Sequence, residues 1–260
     1  MTALGIEKRH DGIAVLTLNR PATLNALDES IKEQLLDALT GIDGDDSVRV
    51  VLLTGIGRAF SAGGDVSEMG GLPASETASR VTMGNQIIEK IVGLRKVVVA
   101  GVNGLASGAG FNLALAADVV LAHRSAWFQQ SFIQIGLAPD MGGTFLLAQQ
   151  LGWQRAKVAL LTGHRFTADE GHALGFVAKV IDDDFLAEAL AYCRVLAQRP
   201  PLALSATKAL VNSPATAQLA VVLRSEATAQ AVLSMSNDHQ RAVRTFQAKE
   251  DLNLVEFAGD

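Results

Sequence analysis

The chain of 260 residues is 49% hydrophobic and 19% charged, which is typical of a folded globular protein and excludes a disordered one. Its formal net charge of −5 argues against a nucleic-acid-binding surface, because such surfaces are basic. The single cysteine, Cys193, excludes a disulfide framework and a zinc site built from cysteines. Residues 1–12 have no signal-peptide pattern, so we expect a cytoplasmic protein. We also expect that it binds neither nucleic acid nor a membrane.

Predicted strands and helices alternate through the first part of the chain. Short β-branched runs bounded by turn residues predict strands at 13–18, 48–54, 97–102 and 119–122. Asp28 has the position of a helix N-cap and is followed by apolar residues at helical spacing as far as Ile42. Further helical patterns cover 78–94 and 111–117. This alternation predicts an α/β fold.

An uncharged segment covers residues 97–117 and is nominally long enough to span a bilayer. Polar and glycine residues such as Asn103, Gly104 and Ser107 interrupt it. We therefore predict a buried strand, a glycine turn and a core helix for this segment instead of a membrane span.

The C-terminal part of the chain is predicted to be helical. After about residue 182 the strand pattern ends, and helical patterns cover 186–197, 202–212 and 215–248. Pro214 stands between the last two of these, as expected of a residue that interrupts helix interiors. We therefore divide the chain into an α/β core over 1–195 and a helical section over 196–260.

Several common catalytic and nucleotide-binding patterns are absent from the sequence. It has no GxSxG nucleophile elbow, no GxxxxGK[ST] phosphate loop and no HExxH zinc pair among its five histidines. Residues 108–113 nearly match a dinucleotide-binding fingerprint, but Leu113 replaces the third small residue and no acid follows at the required distance. We expect neither a metal site nor a nicotinamide or flavin cofactor.

Two glycine-rich turns each follow a predicted strand, at 60–65 and at 107–110. Proteins of the α/β class bind ligands at such strand ends. Two backbone N–H groups from separate turns can also stabilise one developing negative charge, as in an oxyanion hole. For either turn alone, tight chain turning is the simpler interpretation.

Asp140 lies between apolar residues and is followed by Gly142 and Gly143. A carboxylate in apolar surroundings has a raised pKa and can act as a base near neutral pH. The same position is also suited to an N-cap for a helix that begins at Gly142. The residue pattern leaves both interpretations open.

Five stretches together resemble the crotonase family, which comprises the enoyl-CoA hydratases and isomerases. They are 18–27, 50–66, 99–122, 136–144 and 160–181, in the family's order and spacing. The resemblance implies a spiral of ββα units and a helical C-terminal section that assembles copies into a homotrimer or homohexamer. It also implies an acyl-CoA thioester substrate, with coenzyme A as part of that substrate and no separate cofactor.

The resemblance assigns roles to particular residues. The backbone N–H groups of Gly64 and Ala109 are expected to form the oxyanion hole. The coenzyme A moiety is expected along the segment formed by Ala62, Gly63, Gly64, Asp65 and Val66.

The sequence departs from the hydratases of this family at the two glutamates that activate water. Asn112 and Phe132 occupy those positions, and although we expect both to contact the substrate, neither can ionise. Asp140 stands where isomerase branches, including the 1,2-epoxyphenylacetyl-CoA isomerases, carry a catalytic aspartate. A dehalogenase branch shares that aspartate but needs a histidine at the position of Asn85.

The expected function is therefore an acyl-CoA isomerase that shifts a double bond, or opens a ring epoxide, with Asp140 as acid and base. Phe111, Phe132 and Leu137 are expected to line a water-poor pocket, and residues 69–81 and 246–257 to shape the site of the acyl tail. Two alternatives remain open: a hydratase that uses Asp140 with a water held by Asn112, and a catalytically silent acyl-CoA-binding protein.

Overall fold

The computed structural model describes residues 2–66, 69–70 and 73–260. Its larger sheet has six strands in the order β1-β2-β3-β5-β7-β10. The first pair is antiparallel and the remaining neighbours are parallel. The strands are β1 (Leu4–Lys8), β2 (Ile13–Leu18), β3 (Val50–Gly55), β5 (Val97–Val102), β7 (Val119–His123) and β10 (Lys179–Ile181).

A smaller sheet has the order β4-β6-β8-β9, in which β4, β6 and β8 are parallel and β9 is antiparallel to β8. Its strands have three residues each: β4 (Ala59–Ser61), β6 (Leu105–Ser107), β8 (Trp127–Gln129) and β9 (Arg165–Thr167). The sequence analysis missed all four, because three residues are too few to show a strand's alternating pattern.

The described part of the chain forms helices α1 (Glu29–Asp43), α2 (Ala74–Gly93), α3 (Ala109–Leu115), α4 (Gly143–Leu151), α5 (Trp153–Thr162), α6 (Ala168–Leu174), α7 (Phe185–Ala197), α8 (Pro201–Leu233) and α9 (Asn237–Gln247). The predicted cap of α1 is confirmed, since the Asp28 carboxylate accepts a 2.9 Å hydrogen bond from the Ile31 N–H.

The two sheets and the helices follow a repeating order. Each of β3, β5 and β7 is followed by one strand of the smaller sheet and then by a helix, which gives β3-β4-α2, β5-β6-α3 and β7-β8-α4. The predicted α/β spiral of ββα units is therefore confirmed. Its consequence for the site is that β4 and β6, adjacent and parallel, end side by side at the two glycine-rich turns.

The uncharged segment 97–117 forms β5, β6 and α3, as predicted. All seven residues of α3 are buried. Among the described residues, none of the helices has the length and apolar character needed to cross a membrane.

The expected helix break at Pro214 is wrong, because α8 runs through this residue. Proline costs a helix interior roughly 3 kcal/mol, but α8 is anchored on both sides of it. Before it, the Lys208 ammonium pairs with Asp118 at 2.8 Å, and after it Leu223 is buried. The break falls instead before Ser236, whose hydroxyl caps α9 by accepting from the His239 N–H at 3.1 Å.

The boundary expected at 195/196 falls inside α7. Buried residues of this helix pack against the larger sheet, among them Ala189, Cys193 and Ala197. The division into a core and a C-terminal assembly section stays a prediction.

Candidate active site

A cavity of about 120 Å³ is lined by residues of α1, α2 and α8 and by the turns that follow β4 and β6. One water molecule needs only roughly 10–15 Å³ on this measure, so the cavity has room for a small organic group. Seven of the residues selected from the sequence line it, namely Ala62, Gly64, Asp65, Val66, Ala109, Phe132 and Asp140. Gly63 and Asn112 do not line it.

Gly63 holds the two glycine-rich turns in contact. Its φ of +91° lies in the left-handed region, and a Cβ there would stand 2.6 Å from the Ser107 carbonyl oxygen and 3.1 Å from the Ala109 nitrogen. Only glycine permits this close approach without strain. Gly63 is therefore a structural residue of the site, and the expectation that it contacts coenzyme A finds no support in its position.

The backbone N–H groups of Gly64 and Ala109 are available as donors. Leu27 pairs with Gly64 in an isolated parallel β-bridge. In this bridge the Leu27 N–H donates to the Gly63 carbonyl at 2.7 Å, and the Gly64 N–H is not used. Ala109 is the first residue of α3, where N–H groups have no partner within the helix. Neither N–H has an acceptor among the described residues, and both residues line the cavity.

Asp140 brings a carboxyl group to the same cavity. As a residue it is half-buried, but its Oδ1 atom is enclosed and has no hydrogen-bond partner within the described structure. Burial raises the pKa of Asp140 from 3.8 to about 6, and the positive charge of Lys32 partly opposes this rise. A carboxylate with this pKa is ionised at neutral pH and still accepts a proton readily.

The alternative role of Asp140 as a helix cap is wrong. Helix α4 begins at Gly143, and its N-cap residue is Gly142, which has no side chain that could cap the helix. Instead, the Glu226 carboxylate of α8 accepts from the N–H groups of Gly142 at 2.8 Å and Thr144 at 3.0 Å. The Asp140 side chain is thus not engaged at the helix terminus.

Asn112 lies behind Asp140 and is fully buried. Its Nδ2 donates to the Asp140 backbone carbonyl at 2.8 Å, and its Oδ1 accepts from Gln130 Nε2 at 2.6 Å. The expectation that Asn112 contacts the substrate, or holds a water in the cavity, is corrected accordingly. Its amide supports the backbone of Asp140.

The aromatic lining is only partly as expected. Phe132 and Leu137 line the cavity, whereas Phe111 is fully buried and packs against Phe128 and Phe176 in the core, with ring centroids 5.1 and 5.4 Å away. A central position in α3 directs the Phe111 side chain into the core.

The two segments expected to shape the acyl pocket differ in position. Five described residues of 69–81 line the cavity, namely Met69, Gly70, Thr77, Arg80 and Val81, whereas residues 71 and 72 lie outside the described residues. The segment 246–257 does not contribute and lines a separate surface groove. Its predicted place is taken by Gln230 of α8, by Ser234 just after that helix and by His239 of α9, which the sequence analysis missed.

Comparisons with known proteins agree with this architecture. Residues 8–256 match the family model described as enoyl-CoA hydratase/isomerase. The chain is 37% identical over 243 residues to the 1,2-epoxyphenylacetyl-CoA isomerase of Escherichia coli (strain K12), covering 92% of this chain and 93% of that protein. It is 38% identical over 248 residues to a probable enoyl-CoA hydratase of Rhodobacter capsulatus, with coverage of 92% and 93%.

Among solved structures, an enoyl-CoA hydratase from Mycobacterium avium subsp. paratuberculosis superimposes with a TM-score of 0.89 at 32% identity, covering 99% of both chains. The sequence match and the fold agree. This chain belongs to the enoyl-CoA hydratase/isomerase family, the crotonase superfamily.

Proposed function

We propose that the protein is an acyl-CoA isomerase that moves a double bond through a thioester enolate, with Asp140 as the single acid/base group. The observation that carries this proposal is the position of the Asp140 carboxyl group. It faces the same cavity as the free N–H groups of Gly64 and Ala109, while another residue caps the adjacent helix. The side chain that titrates near neutral pH is thereby left available for chemistry.

In the proposed reaction, the thioester oxygen lies between the N–H groups of Gly64 and Ala109. The Asp140 carboxylate removes a proton from C2 of a 3-enoyl chain, and the electron pair moves onto the thioester oxygen. The two N–H groups stabilise this oxyanion, at roughly 3–4 kcal/mol for each donor. Asp140 then returns the proton to C4, which places the double bond between C2 and C3. The proposed steps move only a proton and require no redox change.

The surroundings of Asp140 support proton transfer over hydration. Phe132 and Leu137 present apolar surface to the cavity, and exclusion of water favours return of the proton. The hydratase alternative needs a water held by Asn112, but both polar atoms of that side chain are engaged away from the cavity. We therefore favour isomerisation, although several relatives carry hydratase names.

Opening of a ring epoxide is a second candidate reaction for the same groups. It is favoured by the similarity to the 1,2-epoxyphenylacetyl-CoA isomerase. The thioester oxygen would again take the charge, and Asp140 would again move the proton. A homotrimer or homohexamer in the cytoplasm remains our expectation for the assembly, and sedimentation of the purified protein would decide between the two sizes.

The proposal is tested by turnover of three substrates: a 3-enoyl-CoA, a 2-enoyl-CoA and the ring 1,2-epoxide of phenylacetyl-CoA. The reactions are run in ¹⁸O-labelled water. We expect isomerisation of the first or the third and little ¹⁸O in the product of the second. Rapid incorporation of ¹⁸O from water into the product of the 2-enoyl-CoA, with no isomerisation of the other two substrates, would contradict the proposal.

A further inference from the structure

Glu226 is a buried carboxylate that none of the proposed chemical steps uses. It lies on α8 and is only 5% exposed. Its three hydrogen bonds all come from the turn that follows Asp140: from Gly142 N–H at 2.8 Å, Thr144 N–H at 3.0 Å and Thr144 Oγ1 at 2.5 Å. A buried carboxylate with so many contacts to one turn fixes the position of that turn.

The turn itself needs external support. Met141 has a φ of +47° and Gly142 a φ of +76°, so two successive residues are in the left-handed region. A non-glycine residue there is strained by roughly 1–3 kcal/mol and persists only where its surroundings hold it. Asn112 holds the start of the turn through the Asp140 carbonyl at 2.8 Å, and Glu226 holds its end.

We propose that Glu226 is the positioning residue of Asp140: its side chain holds the 142–144 backbone in place and thereby keeps the Asp140 side chain directed into the cavity. This inference rests on the proposed function, because it assigns to Asp140 the role of the base. It adds to the active site a residue that lies more distantly along the chain, on α8.

The burial of the Asp140 carboxyl group determines the sign of the expected effect. Burial is the main cause that raises the pKa of Asp140 to about 6, so this shift depends on the turn that keeps its carboxyl group enclosed. Other charged or titratable groups that line the cavity are Glu29 and Lys32 of α1, Asp65, Arg80 of α2 and His239 of α9. Loss of the Glu226 hydrogen bonds should release the turn, expose the Asp140 carboxyl group to water and lower its proton affinity.

The test compares Glu226→Gln with wild type by ¹³C NMR of aspartate side chains, with the Asp140 resonance assigned through Asp140→Asn. We expect the titration midpoint of Asp140 to fall by about one pH unit, because loss of the hydrogen bonds to the turn exposes the Asp140 carboxyl group to water. In the isomerase assay kcat should fall at least about tenfold, while KM stays within about threefold. If Glu226→Gln does not fold, Glu226→Met removes the same hydrogen-bond acceptors with an apolar side chain of similar length.

Asp118→Asn is the matched control, because it removes another carboxylate that contacts α8, through Lys208 at 2.8 Å. It should lower the melting temperature without moving the Asp140 midpoint. An Asp140 midpoint within about 0.2 pH unit of wild type in a folded Glu226 variant would overturn the inference. Because the midpoint is measured without turnover, this outcome is distinct from failure of the proposed function, which would appear as an inactive wild type.

Discussion

The side-chain amide of Asn112 donates a 2.8 Å hydrogen bond to the backbone carbonyl of Asp140. By resemblance, position 112 carries a water-activating glutamate in the hydratases. In this chain the same position supports the backbone of the proposed base. One change of side chain thus removes a group for hydration and contributes to holding Asp140.

Restoring the glutamate with Asn112→Glu should not create a hydratase. Asn112 is fully buried, and a Cβ on Gly143 would stand only 2.4 Å from its Nδ2, so no space exists for a longer side chain. The Asp140 carbonyl would also lose its side-chain donor. We expect a loss of roughly 1–3 kcal/mol in unfolding free energy and no gain in hydration of a 2-enoyl-CoA. The control Asn212→Glu changes a half-buried amide on α8 and should lower the unfolding free energy less than Asn112→Glu does. A rise in hydration rate would contradict this account.

The oxyanion hole can be tested by Ala109→Pro. Ala109 is the first residue of α3, where proline fits the helix and removes only the N–H. We expect turnover to fall roughly 10²–10³-fold, as for loss of one oxyanion donor, with the Kd of the acyl-CoA changed far less. Ala109→Ser keeps the N–H and serves as the control. Turnover of a folded Ala109→Pro variant within about threefold of wild type would exclude this N–H from the chemistry.

The stability of the protein should depend on pH through Asp140. Its pKa in the folded state, about 6, lies above the ordinary value of 3.8, so its ionisation destabilises the fold as pH rises through this window. Asp140→Asn escapes that cost, which amounts to at most about 3 kcal/mol above pH 6. Urea unfolding should therefore show the variant gaining stability over wild type at pH 7.5 but not at pH 4. An equal difference at both pH values would mean that the Asp140 pKa is not raised.

The sequence predicted those parts of the fold that have a strong local pattern. The buried runs at 13–18 and 97–102 correspond to β2 and β5 residue for residue. The three-residue strands have no such pattern. The helix break predicted at Pro214 is wrong because the contacts of α8 with the rest of the molecule outweigh the helix-breaking preference of proline.

The candidate site was predictable in the same uneven way. Gly64, Ala109 and Asp140 lie in glycine-rich stretches that the family resemblance identifies. Glu226, Gln230 and His239 come from helices far along the chain, where nothing in the pattern distinguishes them from solvent-facing residues. Their role depends on where α8 and α9 pack, which is a property of the tertiary structure alone.

The central claim is that Asp140 is the base, and isomerisation of a 3-enoyl-CoA by Asp140→Asn tests it most directly. Asparagine keeps the shape of the side chain but cannot accept the proton. A general base contributes roughly 10²–10⁴-fold, and here one group both takes and returns the proton. We predict that the isomerisation rate falls by a factor at or above the upper end of that range, while acyl-CoA binding stays near normal and the melting temperature does not fall. Activity within a few-fold of wild type would show that Asp140 does not carry the chemistry.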